Sequence, residues 1–222
     1  MSLRTNLRVM AALLTISLAP TVLADQLTLV GVFSGRTGGA NPTEYLTPYK
    51  LSINGGPVVL GICDDFWTNI SVGSTWTAAA NNLSNPSVLK FGDQGVEKYY
   101  QAAYLGNLLL SVDLTKSGTL ADQTALSFAI WQLFNNKTTD SPFNHLSGTP
   151  QILAQAKLYL EQAKGATANS FAGWTVYTPN PLTASQEMLV HVPEAPAVAL
   201  LGLNIAALLG LAAIFRRRIQ LS

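Results

Sequence analysis

Apolar and polar positions alternate with a period of two near the start of the chain. Leu27, Leu29 and Phe33 alternate with Thr28 and Val32, and Tyr49, Leu51 and Ile53 repeat the pattern. Successive side chains of a strand point to opposite faces, so both runs predict half-buried strands. Asn54, Gly55, Gly56 and Pro57 form a turn cluster, and the apolar run 58–62 returns as the second arm of a hairpin with Cys63 at its mouth. The period then changes. Residues 96–110, rich in Ala, Tyr and Leu, predict a helix. Thr119 and Asp122 have capping-box spacing ahead of Leu126, Ile130, Leu133 and Phe134, which fall at helical intervals. A third helix is predicted from Thr149 and Pro150 to Gly165, with Ile152, Ala156, Tyr159 and Ala163 on one face. Beyond it the period of two resumes at Trp174 and Val176 and again at Met188, Val190 and Val192. Strands, then helices, then strands predict an α+β fold: one domain over residues 25–191, with N- and C-terminal strands around a central helical segment.

The two ends carry a different pattern. Arg4 and Arg8 precede the apolar run 9–18, and the small residues of Val22-Leu23-Ala24 suit a signal peptidase, so residues 1–24 are expected to be a secretory signal. Residues 197–215 contain no charge. At 1.5 Å per residue a helix of that length spans roughly 28 Å, enough for a C-terminal transmembrane helix. Arg216, Arg217 and Arg218 follow it and would stay in the cytoplasm, leaving residues 25–191 outside.

Composition narrows the function classes. The 222 residues are 48% hydrophobic and 11% charged, which excludes a disordered polyelectrolyte. With the terminal arginines and Glu194 set aside, the interior keeps 8 basic and 11 acidic residues. Phosphate tracking needs clustered Lys and Arg, so a nucleic-acid partner is not expected.

Val192-Pro193-Glu194-Ala195-Pro196, the apolar stretch and the closing arginines together resemble a PEP-CTERM sorting signal spanning residues 192–218. Ala195 separates Glu194 from Pro196 where the family carries Pro-Glu-Pro. The resemblance implies an exosortase-type processing enzyme as partner, a membrane-held intermediate, and release to the cell surface or exopolysaccharide matrix of a Gram-negative-type bacterium. A plain single-pass anchor is the alternative reading of this tail. A second resemblance joins Ile62-Cys63-Asp64-Asp65 to Leu126-Ser127-Phe128-Ala129-Ile130-Trp131. In order and separation these are similar to the two motifs of surface thioester domains, in which a Cys thiolate displaces ammonia from a Gln carboxamide. Ser127 stands where that Gln belongs. Serine offers no acyl carbon, so the resemblance implies the fold without the thioester. Read from the residues alone, Phe128, Ile130 and Trp131 are helix core, and Cys63 is a buried thiol packed beside them.

Other chemistry is sparse. The single cysteine excludes an internal disulfide, and Cys63 with His145 and His191 is too few soft ligands for a metal site. Asp64 and Asp65 point to opposite faces of an extended segment, so turn or capping hydrogen bonds are favoured over paired carboxylate catalysis. No catalytic residues and no cofactor are expected. Phe66, Trp67 and Trp76 flank Gly73 in a Ser/Thr/Asn-rich stretch and are the candidate ligand surface, since exposed rings stack on sugar faces. These observations give two expectations: a non-enzymatic surface or matrix protein with a structural or adhesive role, with exopolysaccharide as a candidate partner, or an anchored hydrolase of matrix polysaccharide.

Overall fold

The computed structural model describes residues 24–33, 44–116 and 118–192. Six antiparallel strands form a closed barrel in the order β1-β2-β3-β6-β5-β4, with β4 returning to β1. They are β1 (Asp25–Val32), β2 (Tyr49–Ile53), β3 (Val58–Cys63), β4 (Thr75–Asn81), β5 (Trp174–Pro179) and β6 (Met188–His191). Three α-helices, α1 (Val96–Ser111), α2 (Leu120–Leu133) and α3 (Pro150–Ala163), lie in the connection between β4 and β5.

This corrects the expected α+β architecture. The two groups of strands do not make separate sheets, because β4 pairs with both β1 and β5 while β3 pairs with β6. Those pairings join residues far apart in sequence, and alternation within a strand carries no information about its partner. Among the described residues no helix is long and apolar enough to cross a membrane, and the expected C-terminal transmembrane helix falls outside them. Residues 1–23 and 193–222, which hold most of the expected signal peptide, most of the sorting motif, the 197–215 stretch and the arginine cluster, lie outside the described residues. The described chain enters β1 at Asp25, the residue after the expected cleavage point.

Alternation explains how one barrel supports two cores. Leu27 and Leu29, Tyr49 and Leu51, Trp76 and Ala78, Tyr177, Met188 and Val190 fill the barrel interior together with Cys63. Their neighbours Ile62, Trp174, Val176 and Leu189 face the helices and join a second core with Leu105, Leu109, Phe128 and Ile130. Three adjacent strands, β6, β5 and the second half of β3, are thus covered on both faces, and residues 188–190 and 58–63 carry no polar side chain. β1 and β2 have one covered face and keep the clean alternation.

The hairpin is as expected, with Ser52 opposite Val58, and Asn54 and Gly55 at φ of 52° and 70° in its turn. The expected capping box does not form: Thr119 donates its hydroxyl to the Lys116 carbonyl at 2.9 Å instead. α2 is buried nearly all round, polar Gln123, Thr124 and Ser127 included, because α1 and α3 pack on it from both sides. In α3, Ala156 and Ala163 are buried, while Ile152 and Tyr159 pack partly exposed against the same core.

Candidate functional site

The end of β3 meets the C-terminal half of α2 at one mouth of the barrel. The register of β3 on β6, with Cys63 opposite Met188, brings Asp64 to the level of Glu187 as the strands part. The period of two then sorts the three side chains. Cys63 and Asp65 turn to the barrel and its mouth, and Asp64 turns with Ile62 toward the helices.

Cys63 is fully buried. Its thiol donates to the Asp65 carbonyl at 3.3 Å, and its backbone N–H donates to Thr47 Oγ1 at 3.2 Å. Burial first, then the negative charges of Asp65 and Asp64, push the thiol's pKa well above its ordinary value, although the Trp131 side chain, placed against the sulfur, acts in the opposite sense. The structure brings Cys63 and Trp131 together. Ser127 sits across Thr47 from the thiol. Its hydroxyl donates to the Gln123 carbonyl at 2.7 Å and lies 3.5 Å from the Thr47 carbonyl, which also accepts from Gln123 Nε2 at 3.0 Å. Ser127 serves here as a buried hydrogen-bonding group that ties α2 to the Thr47 segment.

Asp64 belongs to a buried acid network that sequence reasoning missed. Glu187, fully buried, accepts from Tyr99 OH at 2.6 Å, Thr178 Oγ1 at 2.6 Å and the Lys90 backbone N–H at 2.9 Å. No donor reaches either oxygen of Asp64. Burial, followed by the Glu187 and Asp65 charges, raises its pKa well above normal, and a hydrogen bond to Glu187 acts in the same direction. Glu187 is also raised by burial, but hydrogen bonds from the Lys90 backbone, Thr178, Tyr99 and Asp64 oppose that rise. Both carboxyls therefore hold a proton to higher pH than a solvent-exposed one would, and the pair titrates together. The sequence did hold a signal: Glu187 has the same strand parity as the helix-facing Leu189, and Asp64 the same parity as Ile62.

Asp65 is differently engaged. Lys90 Nζ lies 2.6 Å from Oδ2, while Oδ1 accepts from the backbone N–H groups of Trp67 at 3.1 Å and Thr68 at 3.2 Å. These are the turn hydrogen bonds the sequence favoured. Lys90 also donates to Thr68 Oγ1 and the Ser185 carbonyl.

Beside this network opens a pocket of about 480 Å³. Tyr45, Tyr49, Phe66, Trp67 and Trp131 supply its rings, and Glu44, Asp65, His145, Asn69 and Gln186 its main polar groups. Phe66 packs centrally, with ring centroids 4.7 Å from Trp67, 4.9 Å from His145 and 5.1 Å from Trp131. Trp67 is fixed by its indole N–H, which donates to Asn135 Oδ1 at 3.1 Å, and carries the Lys137 ammonium over its ring at 3.6 Å from the centroid. His145 Nδ1 lies 3.1 Å from Glu44 Oε1. Of the three candidate surface aromatics, Phe66 and Trp67 thus line one pocket. Trp76 does not: it lies on β4, 7% exposed, inside the barrel. That is a correction, and its cause is parity, since Trp76 pairs opposite the inward-facing Leu27. His191 is remote from the pocket, its ring against Trp174 at 5.1 Å. Among the described residues no group of His, Cys, Asp and Glu could hold a metal ion. Of the expected sorting motif only Val192 is described, and it is 44% exposed.

Compared with solved structures, the chain is similar to the N-terminal domain of the Streptococcus pyogenes pilus tip adhesin Cpa. The sequence identity is 12% and the TM-score 0.46, over 79% of this chain and 97% of that one. No family model and no curated protein matches the chain.

Proposed function

We propose that the chain is an exported bacterial protein of the cell surface or exopolysaccharide matrix, with a structural or adhesive role and no enzymatic activity. The observation that carries the reading is the aromatic-walled pocket whose carboxylates are already held by the protein's own groups. Glycoside hydrolysis needs one carboxyl that delivers a proton and a second that activates water or attacks the sugar. Asp65 has an ammonium on one oxygen and two backbone N–H groups on the other, so both oxygens are engaged by the protein's own donors. Glu44 faces His145. Cys63 is buried with a raised pKa, the opposite of what a thiol nucleophile needs. The pocket's size falls in the ordinary range for ligand sites, roughly 300 to 1,000 Å³. Binding without turnover is what these groups support.

Export and sorting rest on the sequence: the apolar, Arg-preceded leader, the motif at residues 192–196 and the arginines at 216–218. On this reading an exosortase-type enzyme acts on an inner-membrane intermediate. The experiment that tests the binding role incubates the protein with matrix polysaccharide isolated from its producing bacterium, and measures both co-sedimentation and new reducing ends. Co-sedimentation without new reducing ends is expected. Release of reducing ends would favour the hydrolase.

A further inference from the structure

We infer that the Lys90 ammonium and the Asp65 carboxylate condense into an amide, a cross-link that forms without an enzyme and ties the end of β3 to the segment ahead of α1. Lys90 Nζ lies 2.6 Å from Asp65 Oδ2, and the two side chains are only 15% and 4% exposed. The contact misses hydrogen-bond alignment, since Oδ2 has no hydrogen-bond partner. Neighbouring groups hold the amine in place. Nζ donates to Thr68 Oγ1 at 3.2 Å and to the Ser185 carbonyl at 2.9 Å, and the Lys90 backbone N–H donates to Glu187 Oε2 at 2.9 Å. Effective molarities of groups held in this way reach about 10⁵ M or more, enough to outweigh competing water. By contrast, the other lysine–carboxylate pairs among the described residues, Lys116 with Asp113 and Lys164 with Glu161, lie in solvent.

The surroundings supply what the reaction needs. Asp65 Oδ1 accepts from the backbone N–H groups of Trp67 at 3.1 Å and Thr68 at 3.2 Å. Negative charge develops on that oxygen when an amine attacks Cγ, and two fixed N–H donors stabilise it. Asp64 and Glu187 sit beside the pair, buried and with raised pKa values, and the Lys90 charge acts on Asp64. These two carboxyls carry the protons. One proton first passes from Nζ to Asp65, leaving a neutral amine and a neutral carboxylic acid. The nitrogen lone pair bonds to Cγ while the carbonyl electron pair moves onto Oδ1. The acid pair takes a proton from nitrogen and returns one to Oδ2. The Cγ–Oδ2 bond then breaks, the Oδ1 electron pair re-forms the carbonyl, and one water leaves. Ammonium plus carboxylate gives amide plus water, so charge balances and no oxidant is required. Condensation also removes two charges from a site where desolvation leaves an ion pair with little net worth.

The test is tryptic mapping with mass analysis of the full chain, recovered folded from its producing bacterium. No Lys or Arg lies between Leu51 and Lys90, and the next lysine is Lys98. Trypsin cannot cut after an acylated lysine, so residues 51–98 should appear as one peptide, lighter than its linear form by one water, about 18 Da, and unchanged by methylamine. Lys90→Arg keeps the charge and should restore both the cut after residue 90 and the full mass. Asp64→Asn should leave most of the chain uncondensed in protein whose Cys63 still resists alkylation. Cleavage after Lys90 in the parent, or a 51–98 peptide of full mass, would overturn the cross-link. A lost water in a peptide that still ends at Lys90 would place the dehydration elsewhere and overturn it equally. Complete condensation in a folded Asp64→Asn chain would overturn the proton-carrying role.

Discussion

Burial decides the chemistry of Cys63. With its pKa raised and no accessible surface, the thiol should react slowly with alkylating agents in the native protein and rapidly after unfolding. Because Ser127 supplies a hydroxyl where an acyl carbon would be needed, the intact mass should show no loss of about 17 Da, the ammonia released when a thiol displaces a Gln nitrogen. A low mass restored by methylamine would show that another side chain acylates the sulfur. Cys63→Ala should cost about 1 to 2 kcal/mol in denaturant unfolding through lost packing. The Asp64 and Glu187 pair makes a pH prediction at the same scale. Both pKa values are raised in the fold, so the folded state retains a proton that the unfolded chain releases above its ordinary carboxyl range, about pH 4. The pair's contribution is therefore greatest below that pH and falls as pH rises toward the folded value, by up to about 1.4 kcal/mol per pH unit per proton. Asp64→Asn keeps a donor for Glu187 and removes the titration. Its stability relative to the parent should rise with pH between 4 and 8; a constant difference across that range would mean that Asp64 is ionised in the fold.

At the scale of elements, α1 touches the barrel through a glycine. A Cβ at Gly106 would lie 2.7 Å and 2.9 Å from two ring atoms of Trp174. That ring is held by its N–H to Asn107 Oδ1 at 3.2 Å and by the edge of His191, so it cannot give way. Gly106→Ala should lower stability by about 1 to 3 kcal/mol in chemical denaturation, despite the helix propensity gained, because overpacking at a fixed ring outweighs it. The helices and strands themselves were legible: the three helices and the 49–63 hairpin fall close to where periodicity put them. What was not legible is pairing. Leu27 and Met188 both read as inward-facing, yet no local signal says that β1 meets β4 or that β3 meets β6, and those two contacts turn an α+β pattern into a barrel. The site shows the same division. Cys63 and Trp131 could be matched by motif, and Phe66 and Trp67 by their aromatic density. Lys90, Gln186 and Glu187 gain their roles only when loops distant in sequence converge on Asp65 and Asp64.

Export and sorting are proposed for the whole chain. If the motif at residues 192–196 is read by an exosortase-type enzyme, Glu194→Ala should leave unprocessed precursor in the membrane fraction, seen as a slower band on an immunoblot of fractionated cells. The measurement that bears most directly on the central claim is intact-mass analysis of the protein in each fraction of its producing bacterium. Most of it is expected in the surface or matrix fraction, beginning near Asp25 and lacking residues beyond the Val192 to Pro196 region. Protein confined to the cytoplasm with residues 1–24 still attached, or a surface form retaining Arg216 to Arg218, would contradict export in the first case and sorting in the second.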